Sequence, residues 1–291
     1  MRHARAIGFA GLVALVAGAV AFAQSTVEPL PESPPVEVAP LDSSALAALA
    51  DTQAGDPERG ASLASTCAAC HGLDGNPADG LPYPRIAGQS ERYIAQQLAL
   101  FKSGERNSGQ APVMVPFAAP LSPQDMRDLG AYFATKAAGA GLADDTVVEG
   151  GPYDGMKFYE IGQQLFRSGD AGRGIPACMA CHGPAGAGNP GPAYPAVAGQ
   201  EAAYVERRLQ EYRDGTTSVQ DRKLFDIMAD IAAPLSDQEI QALASYLQGL
   251  HERPDAATLA AMEAAAAAPA APAEPAEPAA EAAPDAGAQG T

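Results

Sequence analysis

All four cysteines of this 291-residue chain fall within two copies of one pentapeptide, Cys67-Ala-Ala-Cys70-His71 and Cys178-Met-Ala-Cys181-His182. Two thiols at that spacing can each form a thioether to a vinyl group of one macrocycle, and the adjoining imidazole then lies beneath the iron. The spacing predicts two covalently bound haem c groups, attached through Cys67, Cys70, Cys178 and Cys181, with His71 and His182 as axial iron ligands. A Cys-x-x-Cys pair also serves redox disulfides and zinc sites. Redox pairs sit in βαβ units, and this chain shows no alternating apolar strands. Zinc fingers space their histidines away from the cysteines, whereas here each His abuts the second Cys.

An iron held by one imidazole can bind gases or peroxide on its open face, whereas a second strong ligand leaves mainly electron transfer. An internal repeat nominates that ligand. A shift of 111 residues superimposes the pentapeptides, Tyr83-Pro84 on Tyr194-Pro195, Ala87-Gly88-Gln89 on Ala198-Gly199-Gln200, and Tyr93 on Tyr204. Three extra residues in the second copy raise the shift to 114, and Met114 then meets Met228, each seven residues before a Leu-Ser pair. A methionine is more often a core filler than a ligand. Met114 and Met228 keep register, however, while Met126, Met156, Met179 and Met262 have no counterpart. Outside the motifs, the histidines are His3 and His251, the latter placed as a solvated residue at a helix end. Met114 and Met228 are therefore the predicted sixth ligands, expected on loops laid over the distal faces. A thioether there stabilises ferrous iron and raises the reduction potential.

Pro84 and Pro195 follow the motif histidines by 13 residues. Their carbonyls are candidates to accept the second imidazole N–H, with a merely stiffened turn as the alternative reading. Tyr83, Tyr194 and Arg85 are candidates to reach haem propionates, with ordinary packing the alternative for the tyrosines. Copy two carries Ala196 where copy one has Arg85, so a propionate contact from Arg85 would make the haems electrostatically unequal.

The elements that must hold these residues read as helices. Ser90 can cap a helix bearing Tyr93, Ile94, Gln97, Leu98 and Phe101 and stopped by Gly104, matched by Tyr204 to Tyr212 before Gly215. Ser122-Pro123-Gln124-Asp125 and Ser236-Asp237-Gln238-Glu239 are capping-box patterns that open the last helix of each copy. Upstream of each motif, Gly60/Leu63 and Gly162/Leu165 suggest a first helix whose glycine either permits close contact with the last helix or is merely tolerated. The fold class is all-α: two small tandem domains, each wrapped around one haem.

The boundaries predicted are a signal peptide at 1–23, a Pro/acidic disordered linker at 24–55, domains at 56–140 and 153–253 joined by a linker at 141–152, and a disordered Ala/Pro/Glu tail at 254–291. Arg2 and Arg5 precede an apolar run from Ala6 to Phe22 that ends in Ala-Phe-Ala, as an export signal would; the alternative is an anchor that is kept and associates the chain with the membrane. No later stretch is apolar enough to span a bilayer, and attachment of bacterial haem c outside the cytoplasmic membrane points to the periplasm. Of the formal charge of −17, the two tails contribute 11 acids and no Lys or Arg, leaving 24 acids and 16 bases in 56–253. That balance speaks for solubility and against a nucleic-acid partner, which needs a basic face.

From 56 to 250 the chain resembles the cytochrome c4 family, dihaem carriers of the bacterial periplasm. The resemblance rests on the paired CxxCH-G, "YPRIAGQ" and "YPAVAGQ", "RSGDAGRGIPACMACHG", and Met followed seven residues later by Leu-Ser. It implies two class I cytochrome c domains related by a pseudo-twofold axis with propionates facing across the interface. It also implies His71/Met114 and His182/Met228 ligation, and electron delivery from a quinol-oxidising complex to a terminal oxidase. The expected function is that of a one-electron carrier rather than an enzyme. The rivals are a haem subunit of a peroxidase or dehydrogenase, and a haem-based sensor; both call for an open or labile iron, against which the in-register methionines speak.

Overall fold

The computed structural model of the chain describes residues 44–78, 81–217 and 223–251. The expected signal segment, most of the N-terminal linker and the C-terminal tail lie outside the described residues. The first half contains α1 (Pro57–Leu63), α2 (Glu91–Ser103) and α3 (Pro123–Ala134); the second contains α4 (Phe158–Ser168), α5 (Ala202–Arg213), α6 (Lys223–Ala232) and α7 (Asp237–Gly249). Isolated bridges such as Asn189 with Tyr194 are the extent of β pairing among the described residues.

Local chemistry explains where the helices begin and end. Ser122 and Ser236 cap α3 and α7 with reciprocal bonds to Asp125 and Glu239, satisfying N–H groups that helix starts leave orphaned. Ser90 caps α2, and Gly104 ends it in the left-handed conformation at φ 74°. α3 packs against α1 and α2, and α7 packs in the same way against α4 and α5.

The glycines of α1 and α4 decide how close these helices come. A Cβ on Gly60 would sit 2.0 Å from the Asp128 carbonyl oxygen, and one on Gly162 would sit 2.1 Å from that of Ala242. Both glycines therefore serve close contact, at matching places in the repeat. Around the contacts, Leu129 and Phe133 are buried in the first half, and Ile161, Phe166, Ile240 and Leu243 in the second.

Two segments expected as linkers pack against the fold. Residues 44–55 pack onto the first half: Leu46 and Leu49 rest on Ala95, Ala99 and Met126, and the N–H groups of Gln53 and Gly55 donate to Gln124 and Glu91 at 2.9 and 3.0 Å. The Pro-rich composition upstream hid the helical spacing of Leu46 and Leu49. Residues 141–148 pack on the second half, with Gly141 N–H on Gln248 O at 2.9 Å, Asp144 N–H on Ser245 Oγ at 2.7 Å, and Val148 buried in the second core.

Candidate haem sites

Each pentapeptide ends in a single helical turn, Ala68–His71 and Met179–His182. Gly72 and Gly183 then turn the chain away at φ 77° and 78°, a conformation that suits glycine because it has no Cβ. The turn presents two sulfurs and one ring together.

The rings are fixed from behind. Nδ1 of His71 lies 2.8 Å from Pro84 O, and Nδ1 of His182 lies 3.0 Å from Pro195 O. A carbonyl can only accept, so each Nδ1 carries the proton and each Nε2 keeps its lone pair for a metal. Burial lowers both imidazole pKa values, partly opposed by these bonds, so the rings are neutral at pH 7. Tyr83 and Tyr194 stand beside them, with ring centroids 6.3 Å from the imidazole in both halves.

The cysteines form no disulfide. Burial pushes the Cys67 thiol up and the Cys178 thiol up to about 11. A redox pair would need a depressed thiol, so the environment suits covalent attachment instead.

A cavity of about 700 Å³ is lined by both halves, by Cys67, His71 and Met114 of the first and by Cys178, His182 and Met228 of the second. Buried in its wall is Arg106 Nε, with no hydrogen-bond partner among the described residues. Arg106 also donates to Gln97 Oε1 at 2.6 Å and to Tyr204 Oη at 3.0 Å. Two Cys-Cys-His sets, two thioethers and a half-buried cation with one buried, spare donor fit two apolar macrocycles bearing carboxylates.

The methionines are both half-buried, but they are not on loops. Met114 closes a short 3-10 turn, Ala111–Met114, that runs into Val115–Ala118; Met228 lies within α6. Phe225, Met228 and Ala232 recur at helical intervals there, a period too short-lived to stand out in the sequence. Arg85 is 5% exposed and pairs across the halves with Glu201 at 2.7 Å, while also donating to Gly199 O. Its charge is thus met by a protein carboxylate. His251 is exposed beyond α7. Sequence reasoning passed over Arg106, Gln89 and Gln200; for the glutamines, their matched places in the repeat were the available signal.

The cytochrome c family model matches residues 57–136 and 159–251. Cytochrome c4 of Pseudomonas aeruginosa is 41% identical over 200 residues, covering 68% of this chain and 90% of that protein. The thiosulfate dehydrogenase electron acceptor of Thiomonas intermedia is 38% identical over 213 residues, covering 72% and 88%. The crystal structure of reduced cytochrome c4 from Pseudomonas stutzeri superimposes with a TM-score of 0.58 at 38% identity, covering 68% of this chain and all of that one. With two matched cytochrome regions, each holding one Cys-x-x-Cys-His turn at a shared cavity, the chain belongs to the cytochrome c4 family and carries two covalent haem c groups.

Proposed function

We propose that this electron carrier works with both irons closed, His71 and Met114 ligating the first and His182 and Met228 the second, with Cys67, Cys70, Cys178 and Cys181 as the thioether sites. The observation that carries the reading is that Cys, His and Met of both copies line one cavity. When bound, each haem supplies a one-electron ferric/ferrous couple. The chain's own residues keep reorganisation small: the Pro84 and Pro195 carbonyls hold the imidazoles in one tautomer and orientation, and helical positions hold the methionines. Apolar walls keep water from the couple and, with the methionines, favour the ferrous state.

The carrier operates in the periplasm, accepting electrons from a quinol-oxidising complex and passing them to a terminal oxidase. Supporting this are the export-like N-terminus and the cytochrome c4 relatives. No helix among the described residues is long and apolar enough to cross a membrane. A second reading follows from the relatives named as electron acceptors of thiosulfate dehydrogenase, in which that enzyme is the donor. Stopped-flow reduction of the oxidised protein by each donor separates them. Fast reduction by the quinol-oxidising complex and slow reduction by thiosulfate with its dehydrogenase support the respiratory role; the reverse supports the second.

A further inference from the structure

Arg85 and Ala196 occupy matching places in the repeat, directly after Pro84 and Pro195, and Gln89 and Gln200 match in the same way. The fold joins them crosswise. Arg85 N–H donates to Gln200 Oε1 at 2.7 Å, and Gln200 Nε2 donates to Arg85 O at 2.9 Å. On the opposite side, Ala196 N–H donates to Gln89 Oε1 at 3.0 Å, and Gln89 Nε2 donates to Ala196 O at 2.7 Å. Both side chains are buried. The paired bonds fix which end of each amide faces which backbone group, and Gln200 Oε1 is pinned further by Glu201 N–H at 3.0 Å.

These contacts do more than join the halves. The Pro84 carbonyl and the Arg85 N–H are two ends of one planar, conjugated amide. His71 Nδ1 donates to the oxygen end, and Gln200 accepts at the nitrogen end. An acceptor at the N–H draws charge onto the carbonyl oxygen and strengthens it as an acceptor in turn. A stronger acceptor behind the ring makes His71 a better electron donor at Nε2. The chain from His182 through Pro195 and Ala196 to Gln89 repeats the arrangement.

We propose that Gln200 and Gln89 are positioning residues that set the donor strength of the histidine in the opposite half, so that each domain holds down the reduction potential of the other's haem. The inference rests on His71 and His182 being axial ligands. The two sides are not equal. The His71 chain is flanked by the buried Arg85–Glu201 pair, where the matching positions are Ala196 and Ser90.

The test uses the full-length dihaem protein with Gln200→Leu and, separately, Gln89→Leu. Each haem's midpoint is read by spectroelectrochemistry, and each histidine Nδ1–H by proton NMR of the reduced state. A 10–30% weakening of a hydrogen bond of this class predicts a change of up to about twofold in the ferrous/ferric ratio at fixed ambient potential. Gln200→Leu should favour ferrous iron at the His71 haem and move the His71 Nδ1–H resonance upfield, leaving the His182 haem unchanged; Gln89→Leu should do the converse. Equal shifts at both haems, shifts confined to the mutated half, or unmoved resonances would overturn the proposal. Unmutated protein lacking a His71 or His182 ligand signature would instead overturn the ligand assignment beneath it.

Discussion

His71 and Pro84 stand 13 residues apart in the chain, yet Nδ1 of one lies 2.8 Å from the carbonyl oxygen of the other, and His182 and Pro195 repeat the pair at 3.0 Å. This relationship turns a flexible titrating ring into a fixed, neutral donor whose only remaining lone pair faces the haem cavity. The local turn brings the sulfurs and ring together; the bond across 13 residues decides what that ring can do.

The attachment sites are testable by mass. Replacing both Cys67 and Cys70 with Ala should yield a protein lighter by one haem, with the second site loaded and the visible absorbance halved. Intact-protein mass spectrometry under denaturing conditions checks it, since only a covalent group survives. Retention of two groups would count against attachment at these cysteines.

Helix approach sets the tolerance of α1 and α4. Gly162→Ala would force a Cβ to within 2.1 Å of the Ala242 carbonyl oxygen, and the strain should cost about 2–3 kcal/mol. Gly104→Ala meets no atom within 4 Å and should cost about 1 kcal/mol through its left-handed backbone alone. Urea midpoints of the two variants give the comparison, and equal effects would contradict the packing argument.

The pair between Arg85 and Glu201 is buried on both sides, at 5% and 7% side-chain exposure. Arg85→Met alone strands a buried carboxylate and should destabilise by about 3–5 kcal/mol. Adding Glu201→Met should recover most of the loss. A double-mutant cycle showing additive effects would mean that the two charges do not interact.

Acid should weaken the second half through Glu239. Burial alone would raise the Glu239 carboxyl, but bonds from Arg173, Tyr153 and Ser236 overcome it and bring it down to about 2, from 4.5. The unfolded chain therefore takes up this proton before the folded one does. The stabilisation is fully present above about pH 4.5 and is lost as pH falls through about 2; the shift corresponds to about 3 kcal/mol. Unfolding free energies measured across that window should flatten in Glu239→Gln.

The two Cys-Cys-His turns were legible in the sequence because the chemistry they are proposed to serve demands rigid local spacing: Cys, Cys and His must reach one macrocycle from one turn. The capping boxes at Ser122 and Ser236 were legible for the same reason, since they too close within four residues. Contacts across the halves were not. Arg85 reads as a lone cation available to a propionate, and only the fold shows Glu201 beside it. Gln89 and Gln200 were visible as a repeated pair, but their targets lie 107 and 115 residues away in the other copy. Met228 was expected on a loop because a ten-residue helix offers too few turns for its apolar period to stand clear.

The most direct test of the closed-iron carrier is the far-red methionine-to-iron charge-transfer band of the oxidised protein, quantified per haem and paired with carbon monoxide titration after reduction. Two equivalents of band and no carbon monoxide binding are predicted. One equivalent, with carbon monoxide taken up at the other haem, would contradict ligation by both Met114 and Met228 and point to an iron open for catalysis or sensing.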